Sequence, residues 1–310
     1  MRMVIWELSV VNEAFSVMEF FLQLLLNGVS TGFLYGISAI GLILIFRSGG
    51  LLNFAHGGMM AFGAFLFFTL SVQANWPIIV SFVVTLTSSF ALGLILEKCF
   101  MRPVFLKENL IHKILITLGL ALMLKGLLSF FFGEGVYHLP KLVSETLSIS
   151  WHNLQMKSFH ISAFAAGAVL LILYWFFFTF SSTGLSMRAF AENPLAARTV
   201  GVPAKRVSAL SWAIAALLCA LCGVLLSTVN GLHSDSLSAA GLKVFPVIIL
   251  GGLNNIKSAI WGGIIVGLLE TFSGGYIDPS LQDIAPYFAL LLILVLKPSN
   301  FFVRTELEKG

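Results

Sequence analysis

Phe20–Phe46 reads FFLQLLLNGVSTGFLYGISAIGLILIF and carries no charged residue from end to end. At 1.5 Å per residue a helix of this length exceeds the hydrocarbon thickness of a bilayer, about 30 Å, and spans it with some tilt. Gly28, Gly32 and Gly36 recur every fourth residue and share one helix face, the arrangement that lets a second membrane helix approach closely. Asn27, Ser30, Thr31 and Tyr35 give the run a polar content that lipid-facing helices lack. Such groups either join helices or line a path, and Asn27 and Tyr35 are candidates for the second role.

The pattern repeats outward from this run. Gly57–Leu96 is again uncharged, and Gln73–Pro77 (QANWP) divides it into two spans. Ile114–Phe132 (with Lys125 inside it), Ile161–Phe180 and Val207–Val229 are further spans. Val244–Ile256 and Ile284–Leu296 are apolar but short, and Ser258–Tyr276 is a fuller run broken by Glu270. The chain is 58% hydrophobic and 10% charged over 310 residues, where a soluble domain carries about a quarter charged residues. The fold class expected is therefore all-α: one polytopic membrane domain over 1–310, with its core over 18–298 and eight to nine segments, some short or discontinuous. Long unbroken runs exclude the alternating strands of a barrel. Met1–Val17 holds Glu7 and Glu13 and no clean small-residue cleavage site, so no cleavable signal peptide is expected.

Basic residues orient the spans. Glu97–Lys113 and Ser181–Arg206 are rich in Lys and Arg and read as cytoplasmic loops; the balanced stretch 133–160 reads as external. The N-terminus then lies outside and the C-terminus, with Lys297 and Arg304, in the cytoplasm. The net charge of +4 reflects these loops rather than affinity for nucleic acid. Gly49-Gly50-Leu51-Leu52-Asn53 is echoed by Gly251-Gly252-Leu253-Asn254-Asn255, and duplicated halves with broken helices are common in transporters.

Catalytic patterns are absent from the sequence. It contains no G-x-x-x-x-G-K-[ST], no H-E-x-x-H, no His pair at metal-binding spacing and no plausible triad, so neither an enzyme nor a metal centre is expected. Cys219 and Cys222 form C-x-x-C inside an apolar run and read as helix packing, not redox chemistry. Asn53, His56 and Gly57 lie in a glycine-rich break after the first span. Non-helical backbone at membrane depth must be buried in protein or line water, so the break is either part of the path or a plain turn. Lys125 either snorkels to the external edge or serves a substrate or ion pair. Pairing with Glu270 would relieve both isolated charges.

Ser181–Arg206 is the longest polar island. Ser182 or Thr183 is placed to cap a first short helix, Asn193-Pro194 to start a second, and Gly201 to end it. Two short helices on a cytoplasmic surface suit docking to another subunit. An ATP-independent secondary transporter or channel, using Lys125 and Glu270 as ion-linked charges, stays open on these grounds.

Four stretches together resemble the permease subunits of the branched-chain amino acid ABC transporter family, particularly the first of its two paired permease types. They are Leu26-Asn27-Gly28 through Gly63 with Asn53-Phe54-Ala55-His56-Gly57; Glu97 with Arg102-Pro103; Arg188–Val202; and Leu250-Gly251-Gly252-Leu253 through Gly262-Gly263 to Glu270. The resemblance implies a bacterial inner-membrane importer. Two permease chains, usually paralogues, form the channel; two cytoplasmic ATPase subunits carry ATP and Mg; an external solute-binding protein delivers an amino acid, or in close relatives urea or another amide. It also implies that Arg188, Glu192, Asn193, Ala196, Ala197, Arg198 and Gly201 lie in the ATPase-coupling segment. Lys125, the tail from Lys297 and the Asn254–Lys257 loop depart from the family pattern.

Overall fold

The computed structural model describes the backbone of residues 2–104, 110–140, 149–151, 154–156, 158–252 and 256–296, and side chains over 17–104, 110–140, 159–252 and 257–295. Eleven α-helices are described: α1 (Arg2–Gly49), α2 (His56–Phe68), α3 (Ile78–Leu96), α4 (Leu110–Phe132), α5 (Ser158–Phe180), α6 (Ser182–Glu192), α7 (Pro194–Thr199), α8 (Ala204–Asn230), α9 (Ser234–Gly251), α10 (Ile256–Tyr276) and α11 (Ala285–Leu296). Short π-helical turns, Thr69–Gln73 and Glu97–Met101, extend α2 and α3. The β structure among described residues is one small hairpin, Ile149–Trp151 with Leu154–Met156, and a single bridge between Tyr137 and Leu232.

Among the described residues six helices are long and apolar enough to cross a membrane: Val17–Gly49, Ile78–Met101, Leu110–Phe132, Phe159–Phe180, Ala204–Asn230 and Ser234–Gly251. The remaining apolar segments of the sequence fall on α2, α10 and α11. The acidic lead-in before Glu19 continues α1 rather than forming a separate element. Val244–Ile256 does not bound a helix. Instead α9 runs Ser234–Gly251 and takes in Pro246 together with Asp235 and Lys243, the two charged residues that had hidden its true length.

Two helices form the centre. The buried stretch Leu34–Ile45 of α1 and the Trp212–Leu226 stretch of α8 dominate the main apolar cluster. α10 lies along α1 between Phe20 and Gly36, and glycines make that approach possible. A Cβ on Gly32 would sit 2.5 Å from the Gly263 carbonyl oxygen, and one on Gly36 would sit 2.8 Å from Cα of Ile260. The face picked out by its four-residue spacing is thus a backbone-to-backbone seam. Around this centre α4 and α5 present Leu122, Phe130, Phe131, Ile172, Trp175 and Phe176 outward, as lipid-facing surfaces do.

The chain re-enters after α1. Ser38 lies about eleven residues, ~16 Å, before the end of that helix, yet its Oγ is 2.7 Å from Nε2 of His56. The backbone therefore turns at Gly50, with φ +64°, climbs back through Leu51–Ala55 and starts α2 at membrane depth. Leu51, Asn53 and Ala55 are buried, which meets the requirement that irregular backbone at this depth be enclosed by protein. In the echoed stretch Gly252 (φ +86°) ends α9; Leu253, Asn254 and Asn255 lie outside the described residues. One loop residue is not on the surface as the sequence suggested: Glu97 is buried and bridges to Arg102 at 2.8 Å.

Gly32→Ala should lower the stability of the folded chain by about 1–3 kcal/mol, because the seam meets backbone that cannot step aside. Gly119→Ala on α4, where a Cβ meets open space, should leave it unchanged or slightly raised. Thermal unfolding of the purified protein in detergent checks both.

Candidate functional site

Two regions hold the residues singled out by the sequence. The first is the polar island, which folds into α6 and α7. Ser181, one residue before the expected position, caps α6 by accepting from the N–H groups of Thr183 (3.2 Å) and Gly184 (3.3 Å). Asn193 ends α6 and caps α7, its Oδ1 accepting from Leu195 and Ala196 at 3.1 and 3.0 Å. Pro194 occupies the first turn, where its missing N–H costs nothing. Gly201, at φ +88°, turns the chain away after α7.

The seven coupling candidates separate by environment. Ala197 is buried with Leu44, Phe178, Met187, Phe190 and Val207, pinning α7 to the membrane helices. Asn193 is occupied in capping. Arg188, Glu192, Ala196, Arg198 and Gly201 are exposed, with the Arg198 guanidinium 5.7 Å from the centroid of the Phe190 ring. Leu195 and Val200 are exposed beside them. Arg188 also shares a cavity of about 110 Å³ with Arg47, Tyr174 and Ser211.

The second region is the membrane interior. Tyr35, Asn53, His56 and Gly57 are all buried. Asn53 bonds locally, accepting from the Ala55 N–H at 3.0 Å and donating toward Sδ of Met59. His56 touches Ser38 and, at 3.4 Å, Sγ of Cys219. A Cβ on Gly57 would meet the backbone of Ser238 on α9 at 2.7 Å. In this conformation the break is sealed by packing. Asn27 is half-buried and accepts from Gln23 at 3.3 Å. Cys219 and Cys222 are free thiols, and Cys222 donates to the Leu34 carbonyl.

Lys125 and Glu270 do not pair with each other. Lys125 reaches Asp235 at 2.5 Å, with 46% and 57% of the two side chains exposed. Glu270 accepts from Lys243 Nζ at 2.7 Å, a pair with 6% and 5% exposed. Lys243 also meets Asp283, 77% exposed, at 2.7 Å, and Gln282 donates to Glu270 at 3.3 Å. Tyr35 lies against Glu270 from α1. Lys243 escaped the sequence reading because it borders an apolar run, Asp235 because it sits in the polar first turn of α9, and Asp283 because it sits in the short connection before α11. Just before Asp283, Asp278 accepts from the Ser280 N–H at 2.7 Å, which holds its carboxyl below the usual carboxylate range.

Comparison with known proteins places this architecture. The family described as branched-chain amino acid transport system, permease component, matches residues 24–296. The high-affinity branched-chain amino acid transport system permease protein LivH of Escherichia coli (strain K12) is 29% identical over 94% of this chain and 98% of its own length. The corresponding permease protein BraD of Pseudomonas aeruginosa is 25% identical over 93% and 98%. A probable branched-chain amino acid transport permease protein LivH of Methanocaldococcus jannaschii is 26% identical over 77% and 76%.

Lys243→Met should destabilise the protein by about 3–5 kcal/mol, because it strands the Glu270 carboxylate in a buried site. Adding Glu270→Met should recover most of that loss. Lys125→Gln breaks a half-exposed pair and should cost under about 1 kcal/mol. Unfolding temperatures and membrane abundance of the three variants test this ordering.

Proposed function

The chain belongs to the permease family of branched-chain amino acid transport systems, and on that premise we propose that it imports branched-chain or closely related amino acids. It does so as the membrane subunit of a binding-protein-dependent importer driven by ATP hydrolysed on other chains. The observation that carries the reading is the α6–α7 surface: two capped helices, fixed to the membrane core through Ala197, that leave Arg188, Glu192, Arg198, Leu195 and Val200 outward. A chain with no P-loop needs such a surface to receive work done elsewhere. Apolar side chains ringed by charges are the composition of a docking patch.

The partners follow from this role. They are a second, paralogous permease chain, two cytoplasmic ATPase subunits that hold ATP and Mg, and an external solute-binding protein. The site is the bacterial inner membrane, with α6–α7 and the C-terminus in the cytoplasm by the positive-inside rule. Glu192, Asn193, Ala196 and Gly201 belong to the coupling surface. Asn27, Tyr35, Asn53, His56, Gly57, Lys125 and Glu270 belong to the path or its closed gate.

Uptake of radiolabelled leucine by the assembled importer in proteoliposomes tests the reading. Uptake should require both the ATPases and ATP, and transport driven by an ion gradient without them would refute it. Gly201→Val puts a β-branched residue at positive φ, a strain of about 1–2 kcal/mol, with no neighbouring atom for it to strike. ATP hydrolysis should then continue while leucine uptake falls several-fold.

A further inference from the structure

The Lys125–Asp235 pair is out of place if its only purpose is to hold helices together. Lys125 lies about seven residues, ~10 Å, before the C-terminal end of α4, inside the apolar run Leu110–Phe132. Asp235 is brought to that depth by the start of α9, where its N–H donates to Nδ1 of His233 at 3.0 Å. The other intramembrane pair, Lys243–Glu270, is closed over by protein. This one is about half open on both sides. Ionised groups at this depth do not face lipid tails; they face a water-filled cavity or a second protein. The pair is open at its edges: a Cβ on Gly126, the residue after Lys125, would meet nothing within 4 Å, and Ser236 is exposed beside Asp235.

We propose that Lys125 and Asp235 form a subsite for the α-carboxylate and α-ammonium groups of a free amino acid. The inference rests on the importer reading above and names what the path recognises. A zwitterion carries both charges on neighbouring atoms. On entering the pair it gives Lys125 a carboxylate and Asp235 an ammonium, so each protein charge exchanges one partner for another and no charge is left bare. A carboxylic acid or an amine satisfies one residue and strands the other, which is the strong form of discrimination. A neutral amide such as urea can hydrogen-bond to both residues but brings no charge to either, so it replaces neither half of the ion pair. The side chain of the substrate takes no part in this contact, so the subsite accepts α-amino acids as a class and leaves choice among them to other groups.

The test uses the full-length chain in nanodiscs with saturation-transfer NMR. The probes are leucine, its deaminated analogue isocaproate and its decarboxylated analogue isoamylamine; alanine and glutamine are run as zwitterions with other side chains. Leucine, alanine and glutamine should all bind, and each analogue should be weaker by roughly tenfold, the loss of one charge-assisted contact. Lys125→Met and Asp235→Asn should each abolish the preference while the protein melts within a few degrees of wild type. Analogues that bind as well as leucine, or a preference that survives both substitutions, would overturn the subsite.

A second arm separates recognition from bracing. The double variant Lys125→Asp with Asp235→Lys keeps the bridge but reverses it. A brace would be rescued, with leucine uptake restored to wild type. A subsite would hold the zwitterion backwards, so uptake should stay at least about tenfold down with the fold intact. Failure of the importer reading looks different: leucine uptake indifferent to ATPases, with zwitterion binding unchanged. ATP-dependent uptake without any zwitterion preference would remove the subsite alone.

Discussion

The contact between α1 and α10 has no side chains at its centre, and the remaining arrangement depends on that. Gly28, Gly32 and Gly36 on one side and Gly263 and Gly267 on the other let two backbones touch. In lipid no hydrophobic effect drives helices together, so association relies on close van der Waals packing. With α10 held this close, Glu270 reaches the interior beside Tyr35, and Lys243 of α9 can meet it. The seam therefore governs where the intramembrane charges stand as well as how the helices pack.

Those charges fall into two kinds. Lys243 and Glu270 are shut away from any solvent, and each is tolerable because the other is there. Asp283 joins them from the loop before α11 and remains open. Lys125 and Asp235 are open on both members. A protein that spans a bilayer has little tolerance for open charges on surfaces that meet lipid. The second pair stands on α4 and at the start of α9, one helical turn from the exposed Leu122, whereas the faces of α4 and α5 around Phe130, Phe131, Trp175 and Phe176 are apolar.

Much of this was legible in the sequence. Uninterrupted apolar runs gave the class, glycine spacing gave the α1 seam face, and Asn193-Pro194 with Gly201 gave the second short helix and its end. What remained hidden was pairing across distance. Nothing local distinguishes Glu270–Lys243 from Glu270–Lys125, because partner choice is made by the crossing of α9 and α10. Lys243 was invisible for a further reason: hydropathy breaks at a charge, so the run seemed to begin after it, although the helix continued through. Glu97 looked like loop polarity because a buried, bridged carboxylate and a solvated one read identically along the chain. The re-entry after Gly50 was open to two readings until Ser38 and His56 were found in contact.

Asn193 is the last cap of one helix and the first cap of the next, with no spare residue between α6 and α7. Relative motion of the two is confined to rotation about a single residue's φ and ψ. α6 is anchored beneath the membrane by Met187 and Phe190, and α7 by Ala197. A push on the outer edge of α7, at Val200, therefore cannot be absorbed by slack in the loop. Any such force would pass about Asn193 to the ends of α1, α5 and α8 that pack against α6 and α7.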